Sequence, residues 1–139
     1  MVEDEPLIRR FTTKALIRSG YHVDAAEDGA SAWDALQHNR YDLLITDHHM
    51  PKVSGMELLK KLHATRMALP IIMATETLPA REFAAHPWLL PAGMLFKPYN
   101  FDELLGIVKE VLGATASVRE ENAPPPEWQS QPTAMGLRL

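Results

Sequence analysis

Two adjacent acids, Glu3 and Asp4, stand near the start of this 139-residue sequence, and three short apolar runs end in Asp47, Thr75 and Lys97. These residue types suit the transfer of a phosphoryl group to a carboxylate. Three clustered acids repel one another, and a hard divalent cation relieves that repulsion; Mg²⁺ typically takes one or two carboxylates together with waters and phosphate oxygens. Glu3, Asp4 and Asp47 supply such a nest, and Asp47 can act as the nucleophile that becomes an acyl phosphate. The Lys97 ammonium would neutralise charge on the transferring group, and the Thr75 hydroxyl would donate to one of its oxygens. Pro98 restrains the backbone beside Lys97. An acid after a strand is more often a loop residue or a helix cap. The signal lies in four strand ends that sort by role.

The elements that must position these residues follow from alternating apolar runs and helical periodicity, the pattern of βαβ units and a parallel sheet. Met1 and Val2 are the remnant of a first strand. Pro6 suits a first helical turn, with Leu7, Ile8, Phe11, Ala15 and Leu16 as the inward stripe and Gly20 as the stop. A second strand is expected over residues 21–25 and a second helix over 30–37, carrying Ala32, Trp33 and Leu36. The continuous apolar run 43–46 reads as a strand buried on both faces. Ser54 and Glu57 form a capping box for a third helix with Leu58, Leu59 and Leu62. Residues 71–74 and 94–96 are the fourth and fifth strands. A last helix starts near Asn100, with Glu103 placed to complete its cap; it buries Leu104, Leu105, Val108, Val111 and Leu112 and closes at Gly113. In such sheets ligands bind beyond the carboxyl ends of the strands, where the polar residues collect.

The chain length fits one domain, and 46% apolar residues suffice for its core. A net charge of −4 gives no field for holding a polyanion, so direct nucleic-acid binding is not expected. Without cysteine there is no disulfide framework, thiol nucleophile or cysteine-built zinc site. No apolar stretch is long enough to span a bilayer, and the acidic start lacks the basic region of a signal peptide. The expectation is a cytoplasmic, unprocessed protein. Residues 114–139, rich in Pro, Ala, Ser, Glu and Gln, read as a flexible Pro-rich tail after a domain over 1–113.

The segments Glu3-Asp4-Glu5-Pro6, Asp42 to Pro51, Gly55, Pro70 to Thr75 and Lys97-Pro98 together resemble the receiver domains of response regulators. The resemblance covers residues 1–113. It implies a doubly wound five-stranded parallel sheet with helices on both faces, flavodoxin-like, in strand order 2-1-3-4-5. It further implies that Asp47 is phosphorylated and that Mg²⁺ is held by Glu3, Asp4, Asp47 and the backbone carbonyl of His49. Thr75 would be the switch hydroxyl and Lys97 the phosphate-sensing lysine, with His49, Glu76 and Thr77 at rate-tuning positions. The donor would be a histidine kinase or a histidine phosphotransfer protein. Such a domain is not an enzyme beyond its own phosphorylation and dephosphorylation, and it acts by binding an unidentified downstream protein.

Four positions depart from that family. Glu76 replaces the usual Ala or Gly after the switch hydroxyl, and its bulk and charge should slow phosphorylation. Met94 replaces the common aromatic three residues before the lysine, so the Thr–aromatic switch does not carry over intact. Pro87 and Pro91 interrupt the region of the fourth helix, which should be short or irregular and reshape the face used for output. Trp88 there is expected to pack on its own domain. His48 and His49 are adjacent, and in extended chain point to opposite sides, which disfavours a shared metal. A second reading is a pseudo-receiver that binds partners without phosphate; Mg²⁺-dependent beryllofluoride binding separates the two. A cofactor enzyme on the same sheet would want a Gly-rich phosphate loop where Glu3-Asp4-Glu5 stands.

Overall fold

A computed structural model describes residues 1–50, 52–122 and 133–134, with side chains as far as residue 114. In chain order the elements are α1 (Pro6–Arg18), β1 (His22–Val23), α2 (Gly29–His38), β2 (Leu44–Asp47), α3 (Gly55–Ala64), β3 (Ile71–Thr75), α4 (Ala80–Ala85), β4 (Gly93–Phe96), α5 (Phe101–Asn122) and β5 (Thr133–Ala134).

The continuous apolar runs form the centre of the sheet. β2 pairs in parallel with β3, Asp47 opposite Ala74, and β3 with β4, Thr75 opposite Phe96. The chain's first residues are threaded between β2 and the segment after β1. Val2 makes single parallel bridges to Ala26 and Thr46, and the N–H groups of Val2 and Asp47 donate to the carbonyls of Ile45 and Val2. The expected first strand is therefore one bridge wide on each side, and the spatial order is the predicted one. β5 adds a parallel partner to β1, Thr133 opposite His22.

Alternate strand residues face opposite sides, and each side is covered by helices. Met1, Ile45, Ile72, Ala74 and Leu95 pack with Ala15 and Leu16 of α1 and Leu104, Val108, Val111 and Leu112 of α5. Val2, Leu44, Ile71 and Met73 pack with α2 and α3 and with Phe83 and Leu89. Asp28 caps α2 by accepting from the Ser31 N–H at 2.8 Å. Ser54 caps α3 through the Glu57 N–H at 3.2 Å, while its hydroxyl donates to the Glu57 carboxylate at 3.4 Å. Asn100 starts α5 by accepting from the Glu103 N–H at 2.8 Å.

Four expectations are corrected. Leu7 and Phe11 do not face inward; they are 74% and 46% exposed, and the buried face of α1 is Thr12, Ala15 and Leu16. Helical spacing gives two acceptable phases there, and packing against α5 selects the one that places Thr12 inside. Gly113 does not close α5, which continues to Asn122. A helical glycine costs only about 1 kcal/mol, and the alanine-containing sequence beyond it favours helix. That extension enters the stretch read as a tail, whose residues 123–132 and 135–139 lie outside the described residues. Trp88 is 59% exposed rather than packed on the domain, because α4 ends after six residues; its ring stands edge-on to that of His86, 5.2 Å away. The second strand, expected over 21–25, has regular pairing only at His22–Val23.

Candidate functional site at the carboxyl edge of the sheet

Three side chains reach the same point because strand alternation sends them to one side. Glu3 follows the buried Val2, Asp47 ends β2, and Lys97 follows β4, its N–H donating to the Thr75 carbonyl at 2.9 Å as an extension of the ladder. The Lys97 Nζ lies 3.1 Å from both carboxylate oxygens of Glu3 and 3.1 Å from Oδ2 of Asp47. Glu3 and Asp47 are buried, while Asp4 is exposed at the rim. One carboxylate oxygen from each of Glu3, Asp4 and Asp47 falls within a 4.8 Å cluster, a donor set suited to a hard divalent cation. Gly55 presses on the end of β2. A Cβ there would stand 2.4 Å from the Asp47 carbonyl oxygen, so the turn back from Asp47 needs glycine.

Two buried carboxylates share one ammonium, and the charge states follow from that ratio. Burial, then the charge of Asp47, raises the Glu3 pKa to about 7, with the Lys97 hydrogen bond only partly offsetting them. Burial works against the Lys97 charge, but the hydrogen bond it donates to Glu3 and the charges of Asp47 and Glu3 outweigh it and push its pKa up. Burial, with His49 beside it, pulls His48 below the usual histidine range.

The other sequence candidates spread around this centre. Thr75 is buried, and its hydroxyl is turned to its own loop: it donates to the Thr77 carbonyl at 2.8 Å and accepts from the Thr77 N–H at 3.3 Å. Met94 is half-buried in the cluster that contains Phe83 and Leu89. His49 is exposed, its ring 4.5 Å from that of buried His48, whose Nδ1 has no hydrogen-bond partner. Glu76 is exposed and lines a cavity of about 430 Å³ together with Ile8, Phe11, Lys97, Pro98 and Tyr99. Pro51, part of the family-like segment, lies outside the described residues.

Sequence reasoning passed over three residues that hold these loops. The Arg9 guanidinium donates to the Glu3 carbonyl at 2.9 Å, which fixes the acidic loop to α1. The hydroxyls of Thr12 and Tyr99 lie 2.7 Å apart, which fixes the Lys97 loop to the same helix. Their only sequence signal was a threonine among the apolar positions of a helix and a tyrosine two residues after Lys97.

The strand order, the helices on both faces and the acids at the carboxyl edge place the fold among doubly wound, flavodoxin-like proteins. Within that class, the family model of the response regulator receiver domain matches residues 1–109, and the chain belongs to that family. It is 32% identical over 112 residues to the response regulator receiver protein CpdR of Brucella abortus, covering 81% of this chain and 93% of that protein. It is 32% identical over 127 residues to the response regulator MprA of Mycobacterium sp. (strain KMS); that match covers 89% of this chain and spans about half of the relative, 54%. Among solved structures, the chemotaxis response regulator CheY4 of Vibrio cholerae superposes with a TM-score of 0.71 at 30% identity, over 79% of this chain and 93% of that one. The chain is thus a receiver domain of the phosphorylation-dependent signalling type, and no helix among the described residues is long and apolar enough to cross a membrane.

Proposed function

We propose that Asp47 accepts a phosphoryl group from a phosphohistidine on a histidine kinase or histidine phosphotransfer protein, and that the product changes a protein-binding surface. The observation that supports this best is the Lys97 ammonium 3.1 Å from the Asp47 and Glu3 carboxylates, with Asp4 at the rim. An Asp47 oxygen attacks phosphorus as the P–N bond breaks. Lys97, held by the buried Glu3, compensates charge on the phosphoryl oxygens at no cost in reorganisation. Asp4, Asp47, Glu3 and the His49 carbonyl would hold Mg²⁺, which when bound supplies charge neutralisation and orients the phosphoryl oxygens.

Thr75 carries the signal onward in this reading. To bond a phosphoryl oxygen its hydroxyl must leave the Thr77 carbonyl, which frees the loop entering α4. Met94, packed with Phe83 and Leu89 beneath α4, registers that movement in place of an aromatic, and Trp88 and Leu90, exposed on the same segment, meet the downstream partner. His49, Glu76 and Thr77 tune the rates. The working unit is the receiver domain with the whole of α5, in the cytoplasm.

The test is Mg²⁺-dependent labelling of Asp47 by a small-molecule phosphodonor, followed by mass spectrometry, with beryllofluoride binding as a parallel measure. Wild-type protein labels and binds only with Mg²⁺, and Asp47→Asn does neither while keeping its circular dichroism. Labelling that persists in Asp47→Asn, or beryllofluoride binding that ignores Mg²⁺, would overturn the assignment.

A further inference from the structure

We propose that Lys52 and Asp28 form a latch that positions the loop carrying the His49 carbonyl, and so sets the affinity of the acidic nest for Mg²⁺ without touching the metal. This rests on Mg²⁺ being held by Glu3, Asp4, Asp47 and that carbonyl, and it assigns a positioning role to two residues outside the nest.

The loop at residues 48–54 is tied at its ends. The His48 N–H donates to the Ala74 carbonyl at 3.0 Å, and the Gly55 N–H donates to the His48 carbonyl at 2.9 Å. Between these ties its support comes from the start of α2. A Cβ on Gly29 would stand 2.0 Å from the Val53 carbonyl oxygen and 2.6 Å from the Val53 Cβ, so the loop lies directly on the helix backbone. Beside that contact the Lys52 Nζ lies 3.4 Å from Asp28 Oδ2. The two Asp28 oxygens have separate partners: Oδ1 accepts from the Ser31 N–H and caps α2, and Oδ2 takes the lysine. Asp28 is buried, and Lys52 reaches it from solvent. Lys52 has a φ of 68°, a left-handed conformation that glycine or asparagine adopts more readily than lysine. Its reach to Asp28 accounts for a lysine there.

The same short segment also holds the other half of the nest. The Ala26 N–H donates to the Met1 carbonyl at 2.8 Å, and the Ala26 carbonyl accepts from the Glu3 N–H at 3.1 Å. Residues 26–29 therefore bond to the acidic strand on one side and to the metal-facing loop on the other, and the latch fixes the spacing between the two donor groups. Mg²⁺ demands near-ideal octahedral geometry, so a loop free to drift loses affinity. Charge alone predicts the opposite for Lys52, because removing a cation favours a divalent cation nearby. The sign of the effect separates a latch from a field.

The experiment titrates MgCl₂ into wild type, Lys52→Asn, Asp28→Asn and the double variant at constant ionic strength, following backbone amide NMR shifts, and repeats the titration with Asp47 labelling by acetyl phosphate. Asparagine suits positive φ at position 52 and still caps a helix at position 28. Each single variant should weaken Mg²⁺ binding about threefold to fivefold, as for loss of an ion pair with one exposed partner. The double variant should be no weaker than either single one. Half-saturating Mg²⁺ for labelling should rise by the same factor. A Lys52→Asn protein that binds Mg²⁺ as tightly as wild type or more tightly, or single effects that add in the double variant, overturns the latch while the nest stands. Wild-type protein with no saturable Mg²⁺ response and no label on Asp47 overturns the nest and acceptor on which the latch rests.

Discussion

Lowering the pH should stabilise this protein over a range where most proteins are indifferent, and the cause is Glu3. Its carboxylate is fully buried and shares the Lys97 ammonium with Asp47, so its pKa is raised from 4.5 to about 7. Between those values the folded state holds a proton that the unfolded chain has released. Stability therefore rises as pH falls. The contribution is fully present below the unfolded pKa and is lost as pH climbs through about 7. At 1.36 kcal/mol per unit the full shift sets a ceiling of about 3 kcal/mol. Protonating Glu3 also loosens its hold on Lys97, which then turns more fully to Asp47, and the net effect should be about half that ceiling. Urea midpoints from about pH 5 to about pH 8 without divalent cations, on wild type and Glu3→Gln, isolate the term as their difference. Wild type should lose about 1.5 kcal/mol relative to the variant across that range. Parallel curves, or a wild type that gains on the variant as pH rises, would refute the reasoning. Saturating Mg²⁺ favours the ionised carboxylates and should flatten the wild-type slope.

Gly55→Ala places a Cβ 2.4 Å from the Asp47 carbonyl oxygen and 2.9 Å from the His48 Cα, both backbone atoms that cannot swing aside. It should cost about 2 kcal/mol or more in chemical denaturation and slow Asp47 labelling as the acceptor strand shifts. Thr12→Val and Tyr99→Phe each break the 2.7 Å bond between α1 and the Lys97 loop. Each should cost about 1 kcal/mol, and a double-mutant cycle should return a coupling of similar size, where strict additivity would show that the hydroxyls act apart. Trp88→Ala should change stability by less than about 0.5 kcal/mol, since the ring is 59% exposed, and a larger loss on thermal unfolding would mean that it packs on the domain after all.

The positions of Asp47, Thr75 and Lys97 were readable because a strand buried on both faces is a short continuous apolar run, and the first polar residue after it must fall at the sheet edge. The fine placement was not readable where two solutions satisfy the same pattern. In α1, Leu7 and Phe11 repeat at helical spacing as well as Ala15 and Leu16 do, and only contact with α5 makes Thr12 inward and Phe11 a cavity wall. Trp88 carried a burial preference but no information about how little of α4 would exist to cover it. Arg9 acts through its reach to the Glu3 carbonyl, which depends on how α1 leaves the acidic loop. Gly113 looked like a stop because glycine often ends helices, yet the energetic penalty is small enough for the following residues to overrule it.

Strand alternation carries one consequence that local motifs do not. Glu3, Asp47 and Lys97 share the parity of Met1, Ile45 and Leu95, whose side chains pack against α1 and α5. Thr75 shares the parity of Ile71 and Met73, on the side of α2, α3 and the short α4. Charge is therefore gathered on one side of the sheet edge, while Thr75 lies on the other, its hydroxyl bonded to the Thr77 carbonyl. On the proposed function, the signal would cross the edge through the Thr75 hydroxyl toward the short α4 and the segment after it, where Trp88 and Leu90 are exposed. Glu76, Met94 and the short α4, the departures from the family resemblance, all lie on or beside that crossing, whereas Glu3, Asp4, Asp47 and Lys97 match the residue types the resemblance implies.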